Sequence, residues 1–535
     1  MRADGILIGV GALLLLACAG SSPSLRSPEE RDPTRLRALR EAGAPRRVVL
    51  VTVAGLEAGD FLAPTGFVAG PADATRMPNL AGLAAEGTLG VSAFPPMPGS
   101  SYASHATLVT GLRPDRHGII ADEGLAAEDD YAQPFYDSRL FKATTLWDAA
   151  LGRGVLALGW PTTEGARIEL LVPDAAPESG ASSWLESVKR RSSPPLVASL
   201  EARAKRDLDA SPRGPGGRPR SPASWPTAAE RDGAFVDAAC DVAGSERDPA
   251  LWLIRLVGPA TALATRGHGS PEHAEALRQT DAELGRLVDC LEAAARLVDT
   301  ALFVVGDVPF RPVHTEISPN VALVRENLIG RDPRSQNGVR SWLALSLSHG
   351  RSAYVYAKDA ESALSARRAL EGEATRSGAF EVVSANDVAA GGGDRQAWFG
   401  LTARPGFHFG NALTGSLLRP AELRSSAGGA LGRAPAGPTL GGGSGDAVGF
   451  VAWGRGVREK VRMPELALVD LGPTIARLLG LRLDDRLDGR AMVGILRASQ
   501  PLPPPGPKRI GITPDGDPSR ALRDLGGGRE EGSER

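Results

Sequence analysis

Short apolar runs recur along this chain between amphipathic segments, and that alternation constrains the fold more than any other feature. "VVLVTVAGL" (48–56), "VLALGW" (155–160), "ALWLIRLVG" (250–258), "ALFVVGD" (301–307) and "VGFVAWGRGV" (448–457) read as buried strands. Between them stand helical stretches: "MPNLAGLAAEG" (77–87), "ATTLWDAALGRG" (143–154) and "SPEHAEALRQTDAELGRLVDCLEAAARL" (270–297). In the last, Ala274, Leu277, Leu284, Leu287 and Leu291 share a face, Ser270 can cap the start and Pro271 fits the first turn. Alternating strands and helices imply a mostly parallel sheet covered on both faces. Ligands of such sheets collect just beyond the carboxyl ends of strands. The first strand ends on Ala54-Gly55. A functional residue belongs near Ala54, and a methyl group stands there instead.

Other segments fill in the organisation. Residues 203–225, rich in Arg, Pro and Gly, read as a loop or linker. "SAYVYA" (352–357), a helix and "FEVVSA" (380–385) form a βαβ-like piece, so about 350–420 reads as a small α+β insertion. "LALVDLGPTIARLLGL" (466–481) reads as a helix behind an acidic cap. Residues 499–535 are rich in Pro, Gly and charge and read as a disordered tail.

The first residues carry an address. Arg2 precedes an apolar run from Ile6 to Leu16, about half a bilayer span. That is the length of a signal h-region. It ends in Leu15-Leu16-Ala17-Cys18, which resembles a bacterial lipobox. The resemblance implies a signal peptide over 1–17, a lipidated Cys18, and a polar tether over 18–44 holding a domain of about 45–498 to a membrane. Ala19 after the cysteine favours the outer membrane, with the domain facing the periplasm. Cys240 and Cys290 would then sit in an oxidising compartment, where a disulfide is permitted and two buried thiols are equally compatible with the sequence. A formal net charge of −2 argues against nucleic acid as a partner.

"FPPMPGSSYASHATLVTGLRPDRHGII" (94–120) carries the chemistry. A Gly-Ser-Ser turn runs into a short helix. Free N–H groups at a helix start favour an anion, and a serine there is placed as a nucleophile. Ser100 and Ser101 are therefore candidate anion-binding groups, with N-capping as the plainer role.

With this segment in hand, the chain resembles the type I phosphodiesterase/nucleotide pyrophosphatase branch of the alkaline phosphatase superfamily. The resemblance rests on "VVLVTVAGL", "MPNLAGLAAEG", "SHATLVTGLRPDRHGI", "SPEHAEALRQTDAELGRLVD", "FVVGD" and "VAWGRGV…VDLGPTIARLLGL", in the family's order over about residues 48–490. It implies an alkaline-phosphatase-like three-layer α/β sandwich. It also implies two zinc-like ions, a Ser or Thr nucleophile at a helix start, and six carboxylate or imidazole ligands.

Carried over residue by residue, the nucleophile falls on Ser101, four residues before His105, with Ser104 in place of the usual Asn. The Asp after the first strand falls on Ala54. In the Asp-x-x-Gly-His stretch the Asp falls on Ala260, the Gly on Leu263 and the His on Ala264. Asp-His-Gly becomes Asp307-Val308-Pro309, and the Gly-rich loop 438–450 has no histidine. Of six expected ligands Asp307 alone remains, so no bound metal is expected where a catalytic zinc needs about three protein donors.

The seven histidines offer little repair. His105 and His117 match positions outside the metal shell and read as structural. His268 reads as a loop residue, His273 as a surface residue of the long helix, His349 as a turn residue, and His408 lies outside the shell. A relocated single-metal site could use Asp307 with His268 or His314. The reading that results is an envelope lipoprotein with a phosphodiesterase-like domain, inactive or strongly impaired in catalysis, that serves binding or scaffolding toward a protein or a small anion. Its alternative is a metal-dependent phosphoric or sulfuric ester hydrolase with rearranged ligands and Ser101 as nucleophile.

Overall fold

The computed structural model describes residues 43–62, 76–125, 132–175, 183–213, 217, 219–332, 334, 338–428, 447–484 and 486–497. Cys18, the signal and tether segments, the tail and most of the Gly-rich loop lie outside the described residues.

The apolar runs form one eight-stranded sheet. Its strands are β1 (Arg47–Val53), β2 (Thr88–Phe94), β3 (Val155–Trp160), β4 (Leu170–Pro173), β5 (Leu251–Leu256), β6 (Thr300–Gly306), β7 (Val448–Gly454) and β8 (Val461–Ala467). The order is β8-β2-β7-β6-β1-β5-β3-β4. Only β7 runs antiparallel, against β6 and β2; the other pairings are parallel. The mostly parallel three-layer architecture read from the sequence is thus the one observed.

Alternation along β1 divides the core. Val49, Val51 and Val53 face one apolar layer, while Val48 and Leu50 face the other. The first layer is covered by α1 (Pro78–Glu86), α3 (Pro194–Ala210), α4 (Ala228–Gly244) and α6 (Pro271–Ala293). The second is covered by α2 (Ser101–Thr110) and α8 (Leu471–Leu479). Every residue of β1 is buried, which explains the lack of a polar face. Cys240 on α4 and Cys290 on α6 form a disulfide across a separation of 50 residues, a closure worth about 4 kcal/mol by chain entropy.

Three local expectations are corrected. Residues 203–210 are the last turns of α3 rather than a linker, because Leu196, Leu200 and Ala204 form a buried stripe. Asp470 precedes α8 but does not cap it; its carboxylate accepts from Arg490 N instead. Helix 143–154 shortens to Leu146–Ala149, held by a Thr145–Asp148 capping box.

A second antiparallel sheet orders strands Ala344–His349, Ser352–Ala357, Phe399–Ala403 and Phe380–Ser384. Strand 399–403 separates 352–357 from 380–384, which run parallel to each other, so the βαβ-like piece is split by a third strand. Helix α7 (Ala360–Ser377) packs on this sheet over a core of its own.

Candidate functional site

The site forms where β5, β1 and β6 end side by side. Register pairs Thr52 with both Arg255 and Val305, so Arg255 projects from the strand beside β1 and Asp307 follows the end of β6. Helix α2 begins here. Gly99 turns the chain into it at φ +73°, a conformation glycine adopts without strain. Ser100 occupies the cap position but makes no cap hydrogen bond, so the capping role is not observed. Its buried Oγ lies beside Asp122 without a hydrogen bond of good geometry.

Ser101 is half-buried and fully engaged. Its hydroxyl donates to Asp307 Oδ2 at 2.7 Å and accepts from Arg255 Nη2 at 3.1 Å. Arg255 Nη1 donates to Asp174 Oδ2, which also accepts from Tyr102 OH at 2.9 Å. Asp307 is completely buried, and its Oδ1 accepts from Gly55 N at 3.3 Å and Val308 N at 2.7 Å. Burial works against the Arg255 charge, but Asp174, Tyr102, Asp307 and Asp122 outweigh it and hold the guanidinium above its ordinary pKa.

The start of α2 is also engaged. Tyr102 N donates to Asp122 Oδ1 at 2.8 Å, so a carboxylate of the chain itself occupies part of the helix N-terminus.

His105 cannot serve Ser101 as a base. Its Nδ1 donates to Ser101 O at 2.7 Å, which leaves Nε2 to accept from Thr52 Oγ1 at 2.8 Å. Burial, opposed by Asp307, holds its pKa at about 4, so the ring is neutral at pH 7. Its ring packs edge to face with Trp160, the centroids 4.7 Å apart. His117 is likewise structural, bonded to Thr107 Oγ1 at 3.0 Å and accepting from Ile119 N at 3.1 Å.

The positions expected to ligate metal lie on the other flank. Helix α5 (Gly258–Arg266) carries Ala260, Leu263 and Ala264. Leu263, Val308 and Phe310 form an apolar cluster with Ala260, Ala264 and Ala427 packed against it. Ala54 is buried at the end of β1. Gly55, at φ +78°, shows how closed this flank is: a Cβ there would meet Leu263 Cδ1 at 2.8 Å and Ala260 Cα at 3.4 Å.

The donors present among the described residues do not fit two zinc-like ions. Ser101 and Asp307 are oxygen donors already hydrogen-bonded to each other, and the facing positions are hydrocarbon. Among the described residues no three His, Cys, Asp or Glu side chains gather to hold a metal ion.

The other histidines are engaged elsewhere. His268 lies 3.7 Å from Glu57 Oε1 and 3.2 Å from Ser425 Oγ. His314 bonds Thr315 Oγ1 and meets Phe407 edge to face. His273 is buried, not on the surface as expected. It precedes Leu277 by one turn and so shares the apolar face of α6, where burial pushes its pKa down to about 4. His349, at the end of strand 344–349, and His408 are buried.

The sequence reading missed Arg255, Asp174 and Asp122. Signals existed for two of them. Arg255 is a lone charge inside an apolar strand, and Asp174 follows the carboxyl end of β4.

Comparison with known proteins now has geometry to stand on. The family model of type I phosphodiesterase / nucleotide pyrophosphatase matches residues 64–423. Solved structures of human and murine ectonucleotide pyrophosphatase / phosphodiesterase 5 superpose with TM-scores of 0.55 and 0.54 at 16% identity. The human match covers 84% of this chain and 100% of that one; the murine match covers 82% and 95%. A murine T72A form described as inactive and in complex with AMP matches at TM-score 0.53 and 16% identity, over 82% of this chain and 95% of that one. No curated protein sequence matches significantly.

Proposed function

The chain belongs to the type I phosphodiesterase / nucleotide pyrophosphatase family, and from that premise we propose that it is a catalytically silent member whose fold serves binding or scaffolding. One observation carries this reading. The flank that would face two metal ions is a hydrocarbon cluster of Leu263, Val308 and Phe310, with Ala260 and Ala264 against it. Without a Lewis acid, nothing on that flank could offset charge on a phosphoryl oxygen. The remaining flank suits a free anion poorly, since Asp307, Asp174 and Asp122 surround Ser101 and Tyr102 N already has a carboxylate partner. A protein partner therefore fits the geometry better than a small anion.

The proposed location is the bacterial envelope, held through a lipidated Cys18 at the outer membrane and facing the periplasm. The Cys240–Cys290 disulfide suits an oxidising compartment. Among the described residues no helix is long and apolar enough to cross a membrane.

The decisive experiment is elemental analysis of the purified protein, paired with hydrolysis of a nitrophenyl phosphodiester. We expect substoichiometric zinc and no turnover above buffer. Two zinc ions retained per chain at nanomolar affinity would overturn the reading.

A second reading has one observation in its favour. Ser101 Oγ donates to a buried carboxylate at 2.7 Å, an arrangement in which Asp307 could take the hydroxyl proton. It is a hydrolase of phosphoric or sulfuric esters with rearranged ligands. It expects turnover that disappears in Ser101→Ala.

A further inference from the structure

Ser101 and three carboxylates meet at this edge, yet the acids are not left without a cation. Arg255 reaches it from β5, and its two terminal nitrogens do different work. One binds Asp174, and the other binds Ser101 Oγ at 3.1 Å. Ser101 in turn donates to Asp307 at 2.7 Å. The result is a continuous chain, Asp174–Arg255–Ser101–Asp307, with one delocalised cation in the middle. Arg255 and Asp174 side chains are only 14% and 17% exposed, so water screens them little. A second cation, Arg231, lies near Asp174 and Arg255 but makes no hydrogen bond through its Nε.

We propose that Arg255 is the resident cation of this site, a guanidinium held permanently among Asp174, Ser101 and Asp307 in the electrostatic role that bound metal ions would otherwise fill. This rests on the silent-member reading and goes further, since it says how buried Asp307 and its neighbour Asp174 are compensated without metal. Two uncompensated acids in one buried corner would repel each other and lose solvation. A flat, always-charged fork can reach a carboxylate and a hydroxyl together, whereas an ammonium offers a single point. The same charge repels an incoming divalent ion, so the parent protein should show no response to divalent salts or chelators.

The test uses the full mature chain and three proteins: parent, Arg255→Ala and Arg255→Ala/Asp174→Asn. Removing the guanidinium should lower Tm at neutral pH by about 5 °C, as expected for one partner stripped from a buried pair. Two rescues separate charge from packing. Methylguanidinium at about 10 mM should raise the Tm of Arg255→Ala and leave the parent unchanged, because a free cation then binds the folded state of the variant alone. The Asp174→Asn companion should recover at least half of the loss, since one charge fewer needs a counter-ion. A variant as stable as the parent, or a loss that neither rescue relieves, overturns the proposal. If Arg255→Ala does not fold, the double variant decides: folded, it supports the proposal, and unfolded, it refutes it. Zinc found in the parent would instead defeat the silent-member reading, so the two failures are distinguishable.

Discussion

Helices α2 and α5 both begin at the carboxyl edge of the central sheet, on opposite sides of the β1 end, and they close that edge by opposite chemistry. Around α2 the groups are polar and, apart from the hydroxyls of Ser100 and Ser104, partnered: Ser101 with Asp307 and Arg255, Tyr102 with Asp174 and Asp122, His105 with Thr52. Around α5 they are hydrocarbon: Leu263, Val308 and Phe310, with alanines at their margin. Asp307 and Val308 stand on the boundary, adjacent in sequence and facing different worlds. If the chain is the silent member proposed, the contrast teaches that a site can do without bound cations in two ways. It can replace donors with packing, or it can keep acids and supply a cation from within.

The largest effect should come from forcing the chemistry of one flank into the other. Val308 is 2% exposed. Val308→Asp would set a second carboxylate beside Asp307 on the hydrocarbon flank, with Arg255 already engaged by Asp174 and Ser101, and should cost about 3–5 kcal/mol in urea unfolding. Val308→Ala tests the same position for packing alone and should cost about 2 kcal/mol through the cavity it leaves. If the aspartate were tolerated as well as the alanine, the α5 flank would not be the dry cluster described, and the comparison would fail.

How much of this was readable beforehand follows the same boundary. The α5 flank was legible in part: Ala260, Ala264 and Val308 stand where counting from the quoted family segments places ligands, whereas Phe310 and Ala427, which complete the cluster, carried no such mark. The strands were legible because β1, β5 and β6 are apolar on both faces. The α2 flank was only half legible. Ser101 and Asp307 belong to segments of the pattern, but Arg255 enters sideways from a neighbouring strand and Asp174 follows β4, separated from Arg255 by 81 residues. Such pairings are set by strand order, which no local spacing encodes. His273 failed for a simpler reason: its place one turn before Leu277 put it on the buried stripe, and its polarity was weighed above its position.

The polar flank should also betray itself to acid. His117 bonds Thr107 on α2, and burial pushes its pKa down to about 3, below the ordinary value of an unfolded chain. With the folded value depressed, its contribution is complete above about pH 6.5 and is lost as pH falls toward the folded value. Over that window the stability gap between the parent and His117→Gln should narrow by about 1.4 kcal/mol per pH unit. Val308→Ala, which alters only hydrocarbon, should instead run parallel to the parent. A parallel course for both variants would mean that His117 titrates as an exposed ring, and the asymmetry between the flanks would lose its electrostatic part.

The smallest effect, and the sharpest discriminator, belongs to Ser101→Ala. The hydroxyl bridges Asp307 and Arg255, but neither depends on it alone. Asp307 keeps Gly55 N and Val308 N, and Arg255 keeps Asp174. The hydroxyl is also only half-buried, so water can take its place. Stability should therefore fall by about 1 kcal/mol or less, the net worth of a replaceable hydrogen bond. Hydrolysis of a nitrophenyl ester should be the same before and after, at the level of buffer. A large stability loss would make Ser101 the keystone of the polar flank rather than a bridge within it. Measurable turnover in the parent that vanishes in the variant would show that this flank still does chemistry without the ligands the other has replaced.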